Sequence, residues 1–166
     1  MSETPQDPNT QGGEPDGGAP EKPSMTLIAQ YLKDLSFESP RALESFQPNA
    51  APEIDINVDV NGKAVAPNQY EIEFSVSARA TRNEEPVFIV EATYAGAFEI
   101  KNLTREQLEI AMLVECPRML FPFMRQIIAD ATRNGNFPPL MLDPIDFMSI
   151  YIANKDTMRR PAAGQA

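Results

Sequence analysis

Alternation between apolar and polar residues is the feature that most constrains the fold of this chain. From Glu53 to Val60, every even position holds Ile or Val, and every odd position holds Glu, Asp or Asn. The same period recurs in Tyr70–Thr81 and in Val87–Ile100. A period of two residues is that of a β-strand with one face on a core and the other in water. These segments therefore predict an antiparallel sheet with one covered face and one solvated face.

A less regular strand is expected before them, over Met25–Glu38. Its alternation breaks at Ile28 and Leu32, which indicates a β-bulge or a strand covered on both faces. The apolar residues that share its odd positions are Leu27, Tyr31, Leu35 and Phe37. Turns are expected at Asn61-Gly62 and at Glu84-Glu85-Pro86, because these residue types favour tight reversals of the chain.

Helical patterns follow the strands. Thr104 and Gln107 stand in the spacing of a capping box, so we expect a helix to begin there and to run toward Pro117. Pro117 and Pro122 are expected to kink or divide the helical region, because proline lacks the backbone N–H that the helical ladder needs.

A second helical segment is expected over Phe123–Arg133, and Asn134-Gly135 is typical of its end. The proline-bearing loop Asn136–Asp143 leads to a last helix, for which Asp143 is the expected N-cap. Strands followed by helices predict the α+β class. We expect a four-stranded antiparallel sheet followed by helices, with the sheet packed on the helices.

Composition limits the chemistry that is available to the chain. Its 166 residues include no histidine and one cysteine, and they carry a net charge of −10. These counts exclude Ser-His-Asp and Cys-His catalysis, His-containing zinc sites and an internal disulfide. The acidic balance disfavours nucleic acid as a partner, because phosphate binding needs a basic surface. We expect no enzyme activity, no cofactor and no metal, and we expect Cys116 to be a buried, unreactive thiol.

Three regions of the chain differ in composition. Residues 1–24 hold five prolines, four of the eight glycines and five acidic residues against one lysine, which predicts a disordered leader. Residues 25–153 form the expected folded domain, and residues 154–166 are expected to be a flexible basic tail. No segment has the apolar run of a signal peptide or the roughly 18 apolar residues of a membrane helix. We therefore expect a cytoplasmic protein that does not insert into membranes.

The two faces of the predicted sheet differ in chemistry. The solvated face collects carboxylates from all four strands, with Arg79 as the main opposing charge. These carboxylates are Asp34, Glu38, Glu53, Asp55, Asp59, Glu71, Glu73, Glu91 and Glu99. Such a face is either an ordinary solvated surface or a platform for a basic partner. The helical region is rich in Met and Phe, which predicts apolar surface for oligomerisation or for a binding groove.

Three stretches of the sequence carry a recognisable family pattern. They read YLKDLSFESP from Tyr31 to Pro40, CPRMLFPFMR from Cys116 to Arg125, and GNFPPLMLDPIDF from Gly135 to Phe147. Together, in this order and spacing, they resemble SecB, a family of bacterial export chaperones. The resemblance implies a chaperone that binds unfolded precursor polypeptides, keeps them competent for translocation and delivers them to the SecA ATPase. It also implies a homotetramer built as a dimer of dimers.

The resemblance further implies where partners bind. The SecA-docking positions of the family fall on Asp34, Glu38, Ile89 and Glu91, all on the predicted solvated face. The family's tetramer-supporting positions on strand 4 fall on Val90, Ala92 and Tyr94, on the predicted covered face. A client groove is implied between the sheet edge and the crossover loop. Its candidate lining residues are Phe37, Phe46, Phe88, Phe121, Phe137, Leu140, Leu142, Phe147 and Tyr151.

Two other functions stay open on the sequence. A hot-dog-type acyl-CoA thioesterase or dehydratase also has an antiparallel sheet around a long helix, and Glu106 or Glu109 would be its acidic residue. Pro117 and Pro122 argue against this enzyme, because they would break the wrapped helix. The second alternative is a peptide-binding adaptor that acts outside export.

Overall fold

The computed structural model describes residues 20–48 and 50–159, with side chains described through residue 156. Most of the predicted leader, and residues 160–166 of the predicted tail, lie outside this range. The strands are β1 (Ser24–Glu38), β2 (Glu53–Ala66), β3 (Gln69–Arg82) and β4 (Glu85–Lys101). The helices are α1 (Ala42–Ser45), α2 (Arg105–Ile110), a π-helical stretch (Ala111–Glu115), α3 (Cys116–Asn134) and α4 (Phe147–Arg159). The predicted α+β class, with strands before helices, is confirmed.

The four strands form one antiparallel sheet in the order β1-β4-β3-β2, which leaves β1 and β2 at its edges. The pairing of β1 with β4 shifts register twice, between Leu27 and Ala29 and between Leu32 and Asp34. The expected irregularity of β1 therefore consists of two β-bulges. The first bulge turns Tyr31 to the solvated face, so its predicted place beside Leu27 on the covered face is wrong.

Both predicted turns differ from the observed ones. Asn61-Gly62 lies inside β2, where Gly62 pairs with Ile72, and the chain reverses instead next to Asn68, whose φ is 60°. A Cβ atom on Gly62 would lie 2.6 Å from Cε of Met112, so close packing against the helical layer accounts for this glycine. The next turn is Asn83-Glu84, with φ of 51° and 65°, as in a two-residue type I′ turn.

The helical region from Arg105 to Asn134 is continuous. Its capping box is confirmed, because the Thr104 side chain accepts from Gln107 N and the Gln107 side chain accepts from Thr104 N. The predicted division at Pro117 and Pro122 is wrong, since both prolines lie inside α3. The wider π-helical turns just before Pro117 accommodate a residue that cannot donate to the ladder. Because the helical region continues through both prolines, they do not distinguish this fold from that of a hot-dog enzyme.

The last helix begins later than its sequence signal indicates. Asp146, not Asp143, is the capping residue, because its Oδ1 accepts from Ser149 N at 3.1 Å and its Oδ2 accepts from the Ser149 hydroxyl at 2.7 Å. These bonds lower the pKa of Asp146. α4 continues to Arg159, beyond the expected domain boundary at residue 153.

The core lies between α3 and the covered face of the sheet. Of the even positions of β3 and β4 that the alternation predicts as inward, Tyr70 is half-buried and the following are buried: Ile72, Phe74, Val76, Ala78, Phe88, Val90, Ala92, Tyr94, Phe98 and Ile100. Leu120, Met124 and Ile128 of α3 meet them. Cys116 is buried, as predicted, and this burial raises the pKa of its thiol to about 12, which disfavours the reactive thiolate.

Candidate functional site

An aromatic cleft of 490 Å³ opens on the covered side of the sheet, next to the edge strand β2. Phe46, Phe88, Phe137 and Leu140 of the predicted groove line it. The other lining residues are Ser45, Ala50, Ala51, Pro52, Ile54, Arg82, Val87, Asn136, Pro138 and Pro139. The structure thus brings β-strand ends, the segment after α1 and the loop after α3 together around one apolar space.

Four phenylalanines form a connected cluster at this cleft. The ring centroid of Phe137 lies 5.0 Å from that of Phe88, 5.4 Å from that of Phe46 and 6.3 Å from that of Phe37. Phe37 also stacks on Phe88 at 5.9 Å. A Cβ atom on Gly135 would lie 2.3 Å from Cζ of Phe37, so the residue at the end of α3 must be small for this cluster to form.

The cluster is partly open to solvent. Phe88 is 3% exposed and forms its floor, whereas Phe46 is 41% exposed and Phe137 is half-buried. Exposed aromatic rings next to a concave apolar surface are typical of sites that accept apolar side chains from another molecule.

The other predicted groove residues lie elsewhere. Leu142 and Phe147 are 2% and 1% exposed, and Phe147 meets Phe74 edge to face at 5.4 Å, so both belong to the core rather than to the cleft. Phe121 borders a separate hollow of 220 Å³ together with Met141. Tyr151 is half-buried on α4 and donates to Oε2 of Glu109 at 3.1 Å.

Ile54 is a cleft residue that the sequence reasoning did not assign. Its even position in β2 predicts an inward side chain, and it does point inward, but β2 is an edge strand and Ile54 and Ile56 are each 42% exposed. The alternation itself marks the apolar face of β2. Only the strand order shows that part of this face is uncovered.

The four predicted docking positions lie together on the opposite, solvated face. Glu38 pairs with Ile89, and Ser36 pairs with Glu91 one row further along β1 and β4. Asp34 follows in the next row, opposite Thr93. Directly paired residues of antiparallel strands project to the same face of the sheet. Asp34, Glu38, Ile89 and Glu91 therefore form one contiguous patch.

This patch adjoins a shallow hollow of 200 Å³. Asp34, Asp59 and Glu91 supply its carboxylates, and Asn57, Ser75, Ser77 and Thr93 supply most of its other polar groups. Ser77 donates to Oε1 of Glu91 at 3.2 Å. Within the part of the chain that the structure describes, no ion pair reaches any of the three carboxylates.

On the other half of the solvated face, lysine side chains neutralise the carboxylates. Lys33 and Lys63 both form ion pairs with Glu71 and Glu73, with a Lys63 Nζ to Glu71 Oε2 distance of 2.7 Å. Glu71 also accepts from the Tyr31 hydroxyl, and its pKa falls to about 2, first because of Lys63 and then because of Tyr31. The expectation that Arg79 is the main opposing charge is thus wrong, because it missed both lysines.

The predicted assembly positions are covered by their own chain. Val90 is fully buried, Ala92 is 3% exposed and Tyr94 is 8% exposed. Tyr94 stacks on Phe123 of α3 with centroids 5.8 Å apart and an interplanar angle of 11°. Phe123 remains 43% exposed. Most of the exposed apolar surface at this stacked pair therefore belongs to Phe123, and Tyr94 lies beneath it.

The structure places the candidate enzymatic carboxylates at a helix contact. Lys155 of α4 lies 3.9 Å from carboxylate oxygens of Glu106 and of Glu109. In the described residues, no group of three or more His, Cys, Asp or Glu side chains could hold a metal ion. None of the helices described is long and apolar enough to cross a membrane.

Comparison with known proteins agrees with this fold. A family model described as "Preprotein translocase subunit SecB" matches residues 18–158. The protein-export protein SecB of Maricaulis maris is 47% identical over 147 residues, which cover 88% of this chain and 84% of that protein. The protein-export protein SecB of Caulobacter sp. strain K31 is 43% identical over 153 residues, which cover 92% and 93%.

A solved structure shows the same fold at lower identity. It is the Mycobacterium tuberculosis Rv1957 SecB-like chaperone, in complex with a ChAD peptide from the Rv1956 HigA1 antitoxin. Its TM-score is 0.62 at 19% sequence identity, over 73% of this chain and 90% of that chain. The matches to the family and to its curated members span most of the sequence, in agreement with the three stretches that resemble SecB. This chain therefore belongs to the SecB family of protein-export chaperones.

Proposed function

We propose that the aromatic cleft holds apolar segments of unfolded precursor polypeptides and so keeps them competent for translocation. The exposed cluster of Phe46 and Phe137 over Phe88 carries this proposal. An unfolded chain exposes the apolar side chains that a folded protein buries. Full burial of one such side chain contributes roughly 1.5–3 kcal/mol, and contacts between apolar groups have little directional preference. The cleft thus suits many clients.

The charge of the chain supports the same proposal. A net charge of −10 attracts basic segments and repels other acidic proteins. The apolar lining then retains a segment that the charge has attracted. Long-range attraction followed by apolar contact favours unfolded basic clients.

Replacement of Phe137 by Ala tests this proposal. We expect Phe137→Ala to weaken binding of a reduced and carboxymethylated basic protein by about tenfold or more, because one apolar contact is lost. Ile152→Ala is the matched control, since Ile152 is 51% exposed on α4, outside the cleft. Fluorescence anisotropy measures the affinity, and circular dichroism checks the fold. Equal affinity of both variants and the unchanged protein would contradict the proposal.

The acidic patch of Asp34, Glu38, Ile89 and Glu91 is the docking surface that we assign to SecA. Its contiguity on β1 and β4 and the unpaired state of Asp34 and Glu91 among the described residues support this assignment. Unpaired carboxylates can form new ion pairs with a basic partner without first breaking internal ones.

A homotetramer in the cytoplasm completes the proposal. Leu32 and Leu35 of the edge strand β1 are 45% and 44% exposed, and Met119 and Phe123 of α3 are both 43% exposed. Leu32 pairs with Tyr94 and Leu35 with Ala92, so both leucines project to the side of the sheet that carries α3. Apolar surface of this kind, beside a free strand edge, favours association with further copies. Light scattering is expected to give the mass of four chains.

A further inference from the structure

Arg82 connects the end of β3 to one wall of the aromatic cleft. It is the last residue of β3, and its Nε donates a hydrogen bond to the carbonyl oxygen of Ala50 at 2.7 Å. Ala50, Ala51 and Pro52 line the cleft, as does Arg82 itself. The contact therefore reaches from the sheet across to the segment that precedes β2.

The wall has few other attachments. Ala50, Ala51 and Pro52 precede the first paired residue of β2, so the strand ladder does not hold them. Among the described residues, the bond from Arg82 is the hydrogen bond that joins these three residues to the rest of the fold. A segment without ladder bonds samples many conformations unless another contact fixes it.

The segment around α1 also contacts the hairpin that β3 and β4 form. Arg41, at the N-cap of α1, forms an ion pair with Glu85, the first residue of β4. Arg82 and Glu85 flank the Asn83-Glu84 turn. The β3–β4 hairpin thus anchors both the segment that carries Phe46 and the segment from Ala50 to Pro52.

We propose that Arg82 is a positioning residue for client binding, acting through its Nε hydrogen bond to the Ala50 carbonyl. The bond holds Ala50–Pro52 in the conformation that the cleft needs, so less conformational entropy is lost when a client binds. This inference rests on the proposed function of the cleft. On this proposal, the gain in client affinity comes from the hydrogen bond that Nε donates and not from the positive charge of the guanidinium.

Two substitutions separate the donor from the charge. In Arg82→Gln, the side-chain amide nitrogen lies the same number of bonds from Cα as Nε, so the donor stays and the charge is removed. In Arg82→Met, the stem keeps a similar length and loses both. We expect Arg82→Met to weaken binding of a fluorescein-labelled peptide of Phe, Leu, Lys and Ser by about three- to tenfold, the range for one hydrogen bond. Arg82→Gln is expected to stay within about twofold of the unchanged protein.

Amide hydrogen exchange without any client gives a second measurement. The amide of Ala51 should exchange faster in Arg82→Met than in Arg82→Gln, while the urea unfolding midpoints of the two variants stay alike. Arg79→Met is the control, because Arg79 lies on the same strand and faces the solvated side of the sheet.

Three results would overturn the inference. They are equal peptide affinity of Arg82→Met and the unchanged protein, equally weak binding by Arg82→Gln and Arg82→Met, and unchanged exchange at Ala51 in Arg82→Met. Failure of the proposed function gives a different pattern. In that case, the unchanged protein would not bind the peptide, although exchange at Ala51 would still respond to Arg82→Met.

Discussion

Glu71 and Glu91 lie on the same face of the sheet, in different surroundings. The side chain of Glu71 is 12% exposed, and it is held by Lys33, Lys63 and the Tyr31 hydroxyl. Glu91 has Ser77 as its hydrogen-bond partner and borders the open hollow. A carboxylate that is already paired gains little from a new cation, whereas an unpaired one gains more. The acidic surface that can receive a partner is therefore smaller than the sequence indicates.

The pairing of Glu71 predicts a pH dependence of stability. The pKa of Glu71 falls from an ordinary value of 4.5 to about 2 in the folded chain. Because the folded state binds this proton more weakly, the carboxylate stabilises the fold above pH 4.5, and this contribution is lost as the pH falls toward 2. We expect Glu71→Gln to lower the urea midpoint at neutral pH and to converge with the unchanged protein in acid. Glu91→Gln is the control, and a constant difference between Glu71→Gln and the unchanged protein at every pH would refute the prediction.

At the scale of elements, Thr132 connects α3 to the loop that carries Phe137. Thr132 is fully buried, and its Oγ1 accepts from Leu140 N at 2.9 Å while it contacts the carbonyl oxygens of Ile128 and Ala129 at 3.0 and 3.1 Å. The carbonyl oxygen of Thr132 accepts from Phe137 N at 3.1 Å. One buried residue near the end of α3 thus fixes both ends of the segment from Phe137 to Leu140.

Replacement of Thr132 by Val tests this connection. Val has nearly the shape of Thr but leaves the Leu140 N–H without its acceptor, so we expect a loss of about 1–3 kcal/mol in the free energy of unfolding. Urea denaturation measures this loss, and the affinity for an unfolded client should fall with it. Thr132→Ser keeps the hydroxyl and should keep most of the stability. If Thr132→Val were as stable as the unchanged protein, the hydroxyl would not anchor the loop.

At the scale of the whole molecule, the two candidate surfaces lie on opposite sides of one sheet. The cleft is built on the covered face with Ile54 and Phe88, and the acidic patch occupies the solvated face with Asp34 and Glu91. On the proposed function, a client segment held in the cleft would leave the proposed SecA patch uncovered. We therefore expect that SecA and a client can bind at the same time.

Reversal of charge on the patch is expected to separate the two interactions. The double variant Asp34→Lys with Glu91→Lys should abolish SecA binding, because two ammonium groups that repel a basic partner replace the unpaired carboxylates. Client binding should persist. The double variant Glu99→Lys with Glu106→Lys makes the same change in net charge outside the patch and serves as the control. Calorimetry with purified SecA and with an unfolded client measures both affinities. If the two double variants lost SecA to the same extent, net charge and not the patch would explain the binding.

The sequence by itself determined the class of fold and the two faces of the sheet. The period of two residues is a local property, and the even positions of β3 and β4 from Ile72 to Ala80 and from Phe88 to Ile100 are buried. The capping box at Thr104 and the burial of Cys116 were also predictable, because each depends on residues nearby in the chain or on a neighbouring apolar pattern. Phe46, Phe88, Phe137 and Leu140 were placed in one groove by resemblance to the SecB family, and the structure brings them together.

Only the tertiary structure decided which surfaces are open and which charges are free. Two bulges in β1 set the face of Tyr31, and the strand order left Ile54 at an uncovered edge. The pairing of Lys33 and Lys63 with Glu71, and the burial of Phe147 in the core, also depend on residues far apart in the chain. Local patterns specify which side chains avoid water. What covers each of them, and which charge lies opposite, depends on contacts between distant segments that no local period encodes.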